Sequence, residues 1–278
     1  MEFFRIKELE ESSRHWDTFY QCPQLENRGT DDALSESVAE WLIGHCENGL
    51  FRNESIRSYI RAEYNMSREH RQQLASFLSK VNHKPEHNIE YAMFMRSQGS
   101  ADIPLNVSIG EIGIVLDHQV PLVDDTDAGV RSYGGEIDLL SYSSESNTMF
   151  ILELKEPKSS ESLLKCMIEG YTYFRRIGDI SKFKRQFNVP ESANVVIAPL
   201  FLEGSAQHRG YLNLNKGKRN RVELFEKIDV DMRARLGDNR CKVAFAIVNR
   251  TTRFTPHNSL DGLKVSVSRL DAVRSNQK

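Results

Sequence analysis

The chain has 278 residues, of which 39% are hydrophobic and 27% are charged, as is usual for a globular protein. Its formal net charge of -2 excludes a generally basic nucleic-acid-binding protein but leaves room for a local basic groove. No run of about 18 apolar residues is present, so we expect no membrane-spanning segment. This length suits one large domain or a core with an appendage.

The N-terminus and the cysteines indicate where the protein works. The opening segment, MEFFRIKELEESSRHW, lacks the basic start and apolar centre of a secretory signal. The four cysteines are scattered and form no CxxC pair: Cys22, Cys46, Cys166 and Cys241. We therefore expect reduced, mostly buried thiols in a cytoplasmic protein.

The first third of the chain has the apolar periodicity of helices. Residues 31–49, DDALSESVAEWLIGHCENG, have apolar side chains at helical spacing and end near a glycine. Residues 53–81 have a second pattern of the same kind, which fits one helix or a broken pair. The sequence therefore predicts a helical N-terminal region over residues 1–84.

The pattern changes to alternating strands and helices after residue 84. Residues 85–98 predict a helix that opens with a proline. The later segments predict, in order, strands over 111–123, 136–142 and 148–155, a helix over 159–179, a strand over 194–202, a helix over 219–237 and a strand over 242–250. This order indicates an α/β core over 85–250 with a mixed central sheet flanked by helices, followed by a polar tail over 251–278.

One predicted hairpin carries charged side chains among its apolar residues. It spans residues 134–157, GGEIDLLSYSSESNTMFILELKEP, with SSESN as its turn. Strict alternation places Asp138 on one face of its strand with Leu140, and Glu153 on one face of the next strand with Lys155. Pairing of the two strands would then set Asp138 beside Glu153, and like charges across a sheet are unfavourable.

Two interpretations account for this hairpin. A divalent cation would remove the repulsion, because Mg²⁺ prefers hard oxygen ligands and keeps several waters. A bound water near Lys155 would then be a candidate nucleophile. Alternatively, Lys155 pairs with Glu153 or Glu156 on a solvent-exposed face, which would contribute about 0.2–1 kcal/mol.

The hairpin motif, Asp138 followed after 14 residues by Glu153-Leu154-Lys155, resembles that of the PD-(D/E)XK nuclease superfamily. This family has the restriction-endonuclease-like fold, whose core runs helix, three strands, helix, strand. The chain has the same predicted order over about residues 86–200, somewhat under half of its length. Ile137 stands before Asp138, where the family often has proline.

The resemblance implies a role for each matching residue. Asp138 and Glu153 would be ligands of Mg²⁺ or Mn²⁺, together with the backbone carbonyl of Leu154. Lys155 would orient or activate the attacking water. A further acid from the first core helix would be Glu90.

Three further residues are candidates by the family pattern. Glu86 is the second choice for the acid of the first core helix. Glu169 and Tyr173 match a Gln or Glu followed one turn later by Tyr, although exonuclease-type members more often have Gln at the first position. The resemblance places Glu169 in the catalytic set and Tyr173 near the nucleic acid.

A basic segment offers candidate contacts to phosphates. It spans residues 205–221, SAQHRGYLNLNKGKRNR, directly after a predicted buried strand. Such side chains supply sequence-independent affinity for nucleic acid. The candidates are Arg209, Lys216, Lys218, Arg219 and Arg221. The alternative is a solvated loop that leads into a helix.

Other site types are poorly supported by the sequence. His83 and His87 have zinc-like spacing, but Pro85 lies between them and no third ligand is near. The acidic segment DDTDAG lacks the turn glycine of a calcium loop at the required position. No GxxxxGK[ST] or GxSxG motif is present.

We therefore expect a metal-dependent nuclease that hydrolyses phosphodiester bonds, with DNA as its substrate. The alternative is a non-catalytic nucleic-acid-binding or assembly module on the same fold, because a fold does not by itself imply an activity. Cleavage of both strands of a duplex would favour a homodimer, since one site cuts one strand at a time.

Overall fold

A computed structural model describes most of the chain. The described residues are 8–25, 32–53, 56, 85–98, 108–125, 131–156, 158–236, 241–248 and 267–271. The second predicted helical stretch, 53–81, and His83 lie outside these residues, apart from Asn53 and Ile56. No helix within the described residues has the length and apolar character needed to cross a bilayer.

A six-stranded mixed sheet forms the centre of the structure. Its strands, adjacent in chain order, are β1 (Ile114–Asp125), β2 (Arg131–Ser143), β3 (Thr148–Lys155), β4 (Asn194–Leu202), β5 (Cys241–Val248) and β6 (Val267–Asp271). The pairs β1–β2, β2–β3 and β5–β6 are antiparallel, whereas β3–β4 and β4–β5 are parallel. The two parallel pairs need crossover helices, which the chain supplies after β3 and β4. The predicted α/β class with a mixed sheet is confirmed.

Helices cover both faces of the sheet. They are α1 (Asp32–His45), α2 (Pro85–Gln98), α3 (Leu163–Ile177), α4 (Ile180–Gln186), α5 (Ala206–Leu212) and α6 (Asn220–Leu236). In the described part of the chain, short 3-10 helices span Trp16–Gln21, Pro23–Leu25, Cys46–Asn48 and Gly110–Ile112. The hydroxyl of Ser162 caps α3 by accepting a hydrogen bond from the backbone N–H of Lys165.

Two apolar cores lie on opposite faces of the sheet. The first, which we call the α3 core, joins α3, α6 and the described N-terminal residues to sheet residues such as Ile151 and Ile197. The second, which we call the α2 core, joins α2 to sheet residues such as Leu152 and Val196. The four cysteines are buried, as expected, and none forms a disulfide.

The described N-terminal residues enclose α3 rather than forming a separate unit. The ring of Tyr20 packs against that of Tyr173, with the ring centroids 5.8 Å apart. Arg175 donates hydrogen bonds to the carbonyls of Leu50 and Arg52, at 2.7 and 2.9 Å. Together with the sheet, these residues bury every residue of α3.

Two parts of the fold differ from the sequence-based expectation. The basic segment 205–221 contains a short helix, α5, where we expected only a loop. Strand β6 lies within the segment predicted as a polar tail, 251–278, and pairs with β5. In this edge strand Val267 is buried, whereas Ser268 is exposed.

Candidate active site

The β2–β3 hairpin brings Asp138 and Glu153 together where the two strands separate. Backbone pairing ends at Leu139 and Leu152, and the same register continued by one residue sets Asp138 opposite Glu153. There Oδ2 of Asp138 accepts a hydrogen bond of 2.8 Å from the backbone N–H of Leu154. A side-chain carboxylate thus takes the place of a backbone acceptor at the end of the ladder.

Strand β2 turns over at Asp138. Ile137 and Leu140 both pack in the α3 core, whereas Leu139 packs in the α2 core. Strict alternation would put Ile137 and Leu139 on the same face. The alternation that we predicted for β2 therefore does not hold at this point, and Asp138 reaches sideways towards β3.

The backbone N–H and C=O of Leu154 both face the side on which the acids lie. The N–H and the C=O of one residue in an extended strand point to the same side. Because the N–H of Leu154 points to Asp138, its carbonyl faces the side of β2, beyond the last backbone pair. This is the side on which the predicted ligands Asp138 and Glu153 meet.

Lys155 is buried among three carboxylates. Its Nζ lies 2.6 Å from Oε1 of Glu153, 2.9 Å from Oε2 of Glu161 and 3.5 Å from Oε2 of Glu169. Burial alone would lower the pKa of Lys155, but the surrounding carboxylates outweigh burial and raise that pKa well above its usual value. Lys155 is therefore a fixed positive charge at the end of β3.

Helix α3 supplies the fourth predicted catalytic residue, Glu169, and holds it in place. The hydroxyl of Tyr173 donates a hydrogen bond of 3.0 Å to Oε1 of Glu169. Gly135 of β2 has φ +98°, and a Cβ there would lie 2.9 Å from the ring of Tyr173. The bare glycine therefore lets Tyr173 pack closely against β2.

The position of Tyr173 corrects one predicted role. Its side chain is 5% exposed, and its pKa is raised by burial and then by the neighbouring Glu153 and Glu169. Tyr173 thus lies inside the site and orients Glu169, instead of presenting a ring to a nucleic acid at the surface.

Helix α2 brings both predicted acids of the first core helix to the same place. Glu86 accepts a hydrogen bond of 3.2 Å from the backbone N–H of Glu156, just after β3. Glu90 is fully buried, and its pKa is raised well above the usual value by burial, then by Glu86 and Glu153. Neither Glu90 oxygen has a hydrogen-bond partner of normal geometry, although Gln119 lies close enough to lower the Glu90 pKa.

The acids form a cluster whose charges oppose one another. Burial raises the pKa of Asp138 well above its usual value, and Glu90 raises it further. Burial and Asp138 act in the same way on the pKa of Glu153, and Oε2 of Glu153 has no hydrogen-bond partner. Buried carboxylates that repel one another are characteristic of functional sites, because such an arrangement costs stability.

These acids fit a divalent cation in their chemistry. The three partnerless oxygens of Glu90 and Glu153 are hard donors, which Mg²⁺ and Mn²⁺ prefer. Among the described residues, no three His, Cys, Asp or Glu side chains stand close enough to hold a metal as they are. Lys155 pairs with Glu153 instead, so ion binding would require this side chain to shift.

Glu161 is a site residue that sequence reasoning missed. It contacts both Lys155 and Lys165, and the two lysines outweigh burial and hold the pKa of Glu161 below its usual value. The amide of Gln207 donates a hydrogen bond of 2.7 Å to the backbone carbonyl of Glu161. The available signal was an acid directly before the cap of a helix that follows the hairpin.

Four of the predicted phosphate contacts lie at the surface. Arg209 is exposed and donates a hydrogen bond of 2.8 Å to the carbonyl of Gly204. Lys216, Lys218 and Arg219 are also exposed. Strand β4 runs parallel to β3 and ends beside Lys155, so α5 begins at the same end of the sheet as the acids.

Arg221 is a correction to the predicted phosphate contacts. Its side chain is only 2% exposed, and it pairs with Asp32 at 2.9 Å and with Glu36 at 2.6 Å. Helix α6 positions it beneath α1, so its charge holds these two helices together and does not face a ligand.

A cavity of about 370 Å³ lies apart from the acids, between α3 and α6. It is lined partly by Arg175 and Arg235. Arg235 pairs with Asp231 at 2.5 Å, and Arg175 binds the carbonyls of residues 50 and 52. The arginines of this cavity are thus used to hold the fold.

Replacement of Glu90 by Gln is expected to stabilise the protein in the presence of a chelator. The raised pKa of Glu90 means that folding favours its protonated form, so the wild type loses stability as the pH rises from 4.5 through that raised pKa. Glutamine stays neutral and should add about 1–3 kcal/mol to the unfolding free energy at about pH 8. Thermal unfolding at about pH 5 and about pH 8 measures this, with a smaller decrease for the variant.

The matched control is Glu226→Gln on the exposed side of α6, which should leave both melting temperatures unchanged. If Glu90→Gln is less stable than the wild type at the higher pH, the carboxylate of Glu90 is already well satisfied and this interpretation is wrong.

Comparison with protein-family models found no match to this chain, and neither curated proteins nor solved structures gave one. The resemblance to the PD-(D/E)XK superfamily therefore rests on the hairpin motif and stays a prediction.

Proposed function

We propose that this protein is a metal-dependent nuclease that hydrolyses phosphodiester bonds, with DNA as its substrate. The observation that carries this proposal is the meeting of Asp138, Glu153, Lys155 and Glu90 at the open end of the β2–β3 hairpin. A purely structural role would favour neutral or paired groups in such a buried place. The resemblance to PD-(D/E)XK nucleases supports the same conclusion.

Asp138, Glu153 and the carbonyl of Leu154 would hold Mg²⁺ or Mn²⁺, with Glu90 as a further ligand. The bound ion would supply an activated water and neutralise charge on the scissile phosphate. Lys155 would orient that water, because its ammonium group is a fixed donor beside Glu153. This assignment uses the hard oxygen donors of the site and gives a role to each of Asp138, Glu153 and Glu90.

Glu169 and Tyr173 would set the position of Lys155. The hydrogen bond from Tyr173 fixes one oxygen of Glu169, and the other oxygen faces the Lys155 ammonium group. Glu161 offers a second, more exposed carboxylate to the same ammonium group. Lys155 could therefore stay paired when Glu153 turns to an ion.

The exposed cations of the basic segment would contact the phosphates of the substrate. Arg209 lies on α5 at the end of the sheet that carries the acids, and Lys216, Lys218 and Arg219 follow it. Contacts of this kind are independent of sequence and weaken steeply with salt. Cleavage of both strands of a duplex would require two such sites, and hence a homodimer.

A non-catalytic nucleic-acid-binding or assembly module is the second candidate. It is favoured by the ion pairs of Lys155, which neutralise part of the acid cluster without any metal. Such a module would keep its function when Asp138 or Lys155 is replaced.

Replacement of Lys155 by Ala is expected to abolish cleavage, because it removes the only cation that contacts Glu153 among the described residues. The measurement compares wild type and variant on circular plasmid and on linear single-stranded DNA, with Mg²⁺ and with Mn²⁺. Loss of a group that stabilises developing charge typically costs about 100–1,000-fold in rate. Circular dichroism shows whether the variant is folded.

Lys182→Ala is the matched control, since Lys182 is an exposed lysine on α4 and should be dispensable. Absence of cleavage by the wild type, together with absence of Mn²⁺ binding by calorimetry, would reject the nuclease proposal. Mn²⁺ binding without cleavage would uphold the metal site and reject DNA as the substrate, and RNA and branched DNA would be tested next.

A further inference from the structure

Gln119 has an unusual backbone conformation in the middle of β1. Its φ is +48°, in the left-handed region that most side chains avoid. The other two described non-glycine residues in this region, Asn147 and Asn188, are asparagines in turns, where asparagine is tolerated. A glutamine inside a strand lacks that explanation, and strain of this kind is concentrated at functional sites.

The left-handed residue turns β1 over at the same level at which β2 turns over. His118 packs against Phe94 of α2, with the ring centroids 5.0 Å apart, whereas Val120 packs in the α3 core. Strict alternation would put residues 118 and 120 on one face. In the β1–β2 register, residue 119 stands opposite Asp138. The side chains of both strands therefore switch between the two faces of the sheet at the same paired position.

The side chain of Gln119 also meets the acid cluster. It lies close enough to the carboxyl of Glu90 to lower the pKa of that group, although neither Glu90 oxygen accepts a hydrogen bond of normal geometry from a described residue. The side chain of Gln119 therefore approaches the acid of α2, and its backbone stands opposite the acid of β2 in the strand pair.

We propose that Gln119 is a positioning residue of the acid cluster: its left-handed backbone turns the β1–β2 pair over at Asp138, and its amide holds Glu90 beside that carboxylate. The expected effect of Gln119 on catalysis rests on the proposed nuclease function. The contact with Glu90 does not depend on that function. Substitution of a residue that orients a metal ligand typically lowers metal affinity or activity by about 10–100-fold.

Gln119→Gly separates the backbone from the amide, because glycine adopts the left-handed conformation freely but has no side chain. We expect the variant to be at least as stable as the wild type in urea. Its kcat for plasmid cleavage and its affinity for Mn²⁺ should fall by about 10–100-fold, with KM for DNA nearly unchanged. The control Asn188→Gly relieves the same backbone strain away from the acids and should leave kcat and Mn²⁺ affinity unaltered.

A double-mutant cycle tests the contact without relying on catalysis. Gln119→Gly and Glu90→Gln are combined, and urea unfolding at neutral pH gives the coupling between the two positions. We expect the unfolding constant of the double variant to differ by about fivefold or more from the product of the single effects. Independent effects would overturn the proposal, as would full activity and full Mn²⁺ affinity of Gln119→Gly.

The failure of each proposal is distinguishable from that of the other. Coupling between Gln119 and Glu90 in a protein that neither cleaves DNA nor binds Mn²⁺ would support the positioning contact and reject the nuclease. Cleavage by the wild type with no coupling and no effect of Gln119→Gly would support the nuclease and reject the role of Gln119.

Discussion

Replacement of Asp138 by Asn is expected to abolish Mn²⁺ binding and to lower kcat/KM by about 1,000-fold while the fold is kept. Asparagine can still accept the hydrogen bond from the backbone N–H of Leu154, so the end of the β2–β3 ladder stays intact. It lacks the negative charge that a divalent cation requires. Loss of several kcal/mol of transition-state stabilisation corresponds to an effect of this size.

Calorimetry with Mn²⁺ and plasmid cleavage measure this effect, and thermal unfolding reports on the fold. Asp229→Asn is a matched control, because Asp229 is another partly buried aspartate that accepts a backbone N–H, that of Val243. Burial raises the pKa of Asp229 to about 6, yet it lies on α6 and outside the acid cluster. Equal losses in both variants, or full activity of Asp138→Asn, would contradict the assignment.

Replacement of Arg221 by Met is expected to lower the unfolding free energy by about 3–5 kcal/mol. The variant would leave Glu36 buried between α1 and α6 without its 2.6 Å ion pair, while Asp32 would lose its 2.9 Å partner. Methionine fills most of the volume, so the loss would come from the uncompensated charge. Urea unfolding measures the effect.

A second substitution and a surface control sharpen this test. Glu36→Leu added to Arg221→Met should restore much of the stability, since it removes the buried charge that lost its partner. Arg219→Ala, at an exposed neighbouring position, should leave stability unchanged. A stable Arg221→Met variant with weakened DNA binding would instead support the surface role predicted from the sequence.

Sequence patterns predicted the mixed sheet and the meeting of Asp138 with Glu153, because these depend on local strand signals and on the register of a short hairpin. The turn of the β2–β3 hairpin lies where expected, and β3 and β4 have the predicted bounds. The same hairpin fixes Asp138 opposite Glu153, and α3 delivers Glu169 to Lys155 one crossover later. Each of these placements follows from a register or a helix that neighbouring residues determine.

Other features escaped prediction because they depend on contacts between distant segments. Arg221 belongs to a basic run in the sequence, and only the packing of α6 on α1 buries it against Glu36. Glu161 carries no periodic signal and gains its role from the fold of the loop after β3. The strand reversal at Gln119 and Asp138 breaks the alternation on which strand prediction relies.

The enclosure of α3 by the N-terminal residues has a consequence for anyone who wishes to shorten or transplant this protein. A cut at residue 84 looks natural in the sequence, but it would remove Tyr20 from the ring of Tyr173 and the carbonyls of Leu50 and Arg52 from Arg175. Helix α3, which carries Glu169, would then lose the N-terminal residues that pack on the side facing away from the sheet. A shortened protein should therefore keep the N-terminal residues together with the hairpin and α3. A fragment of residues 85–250 alone would contain the acids without the contacts that hold α3 in place.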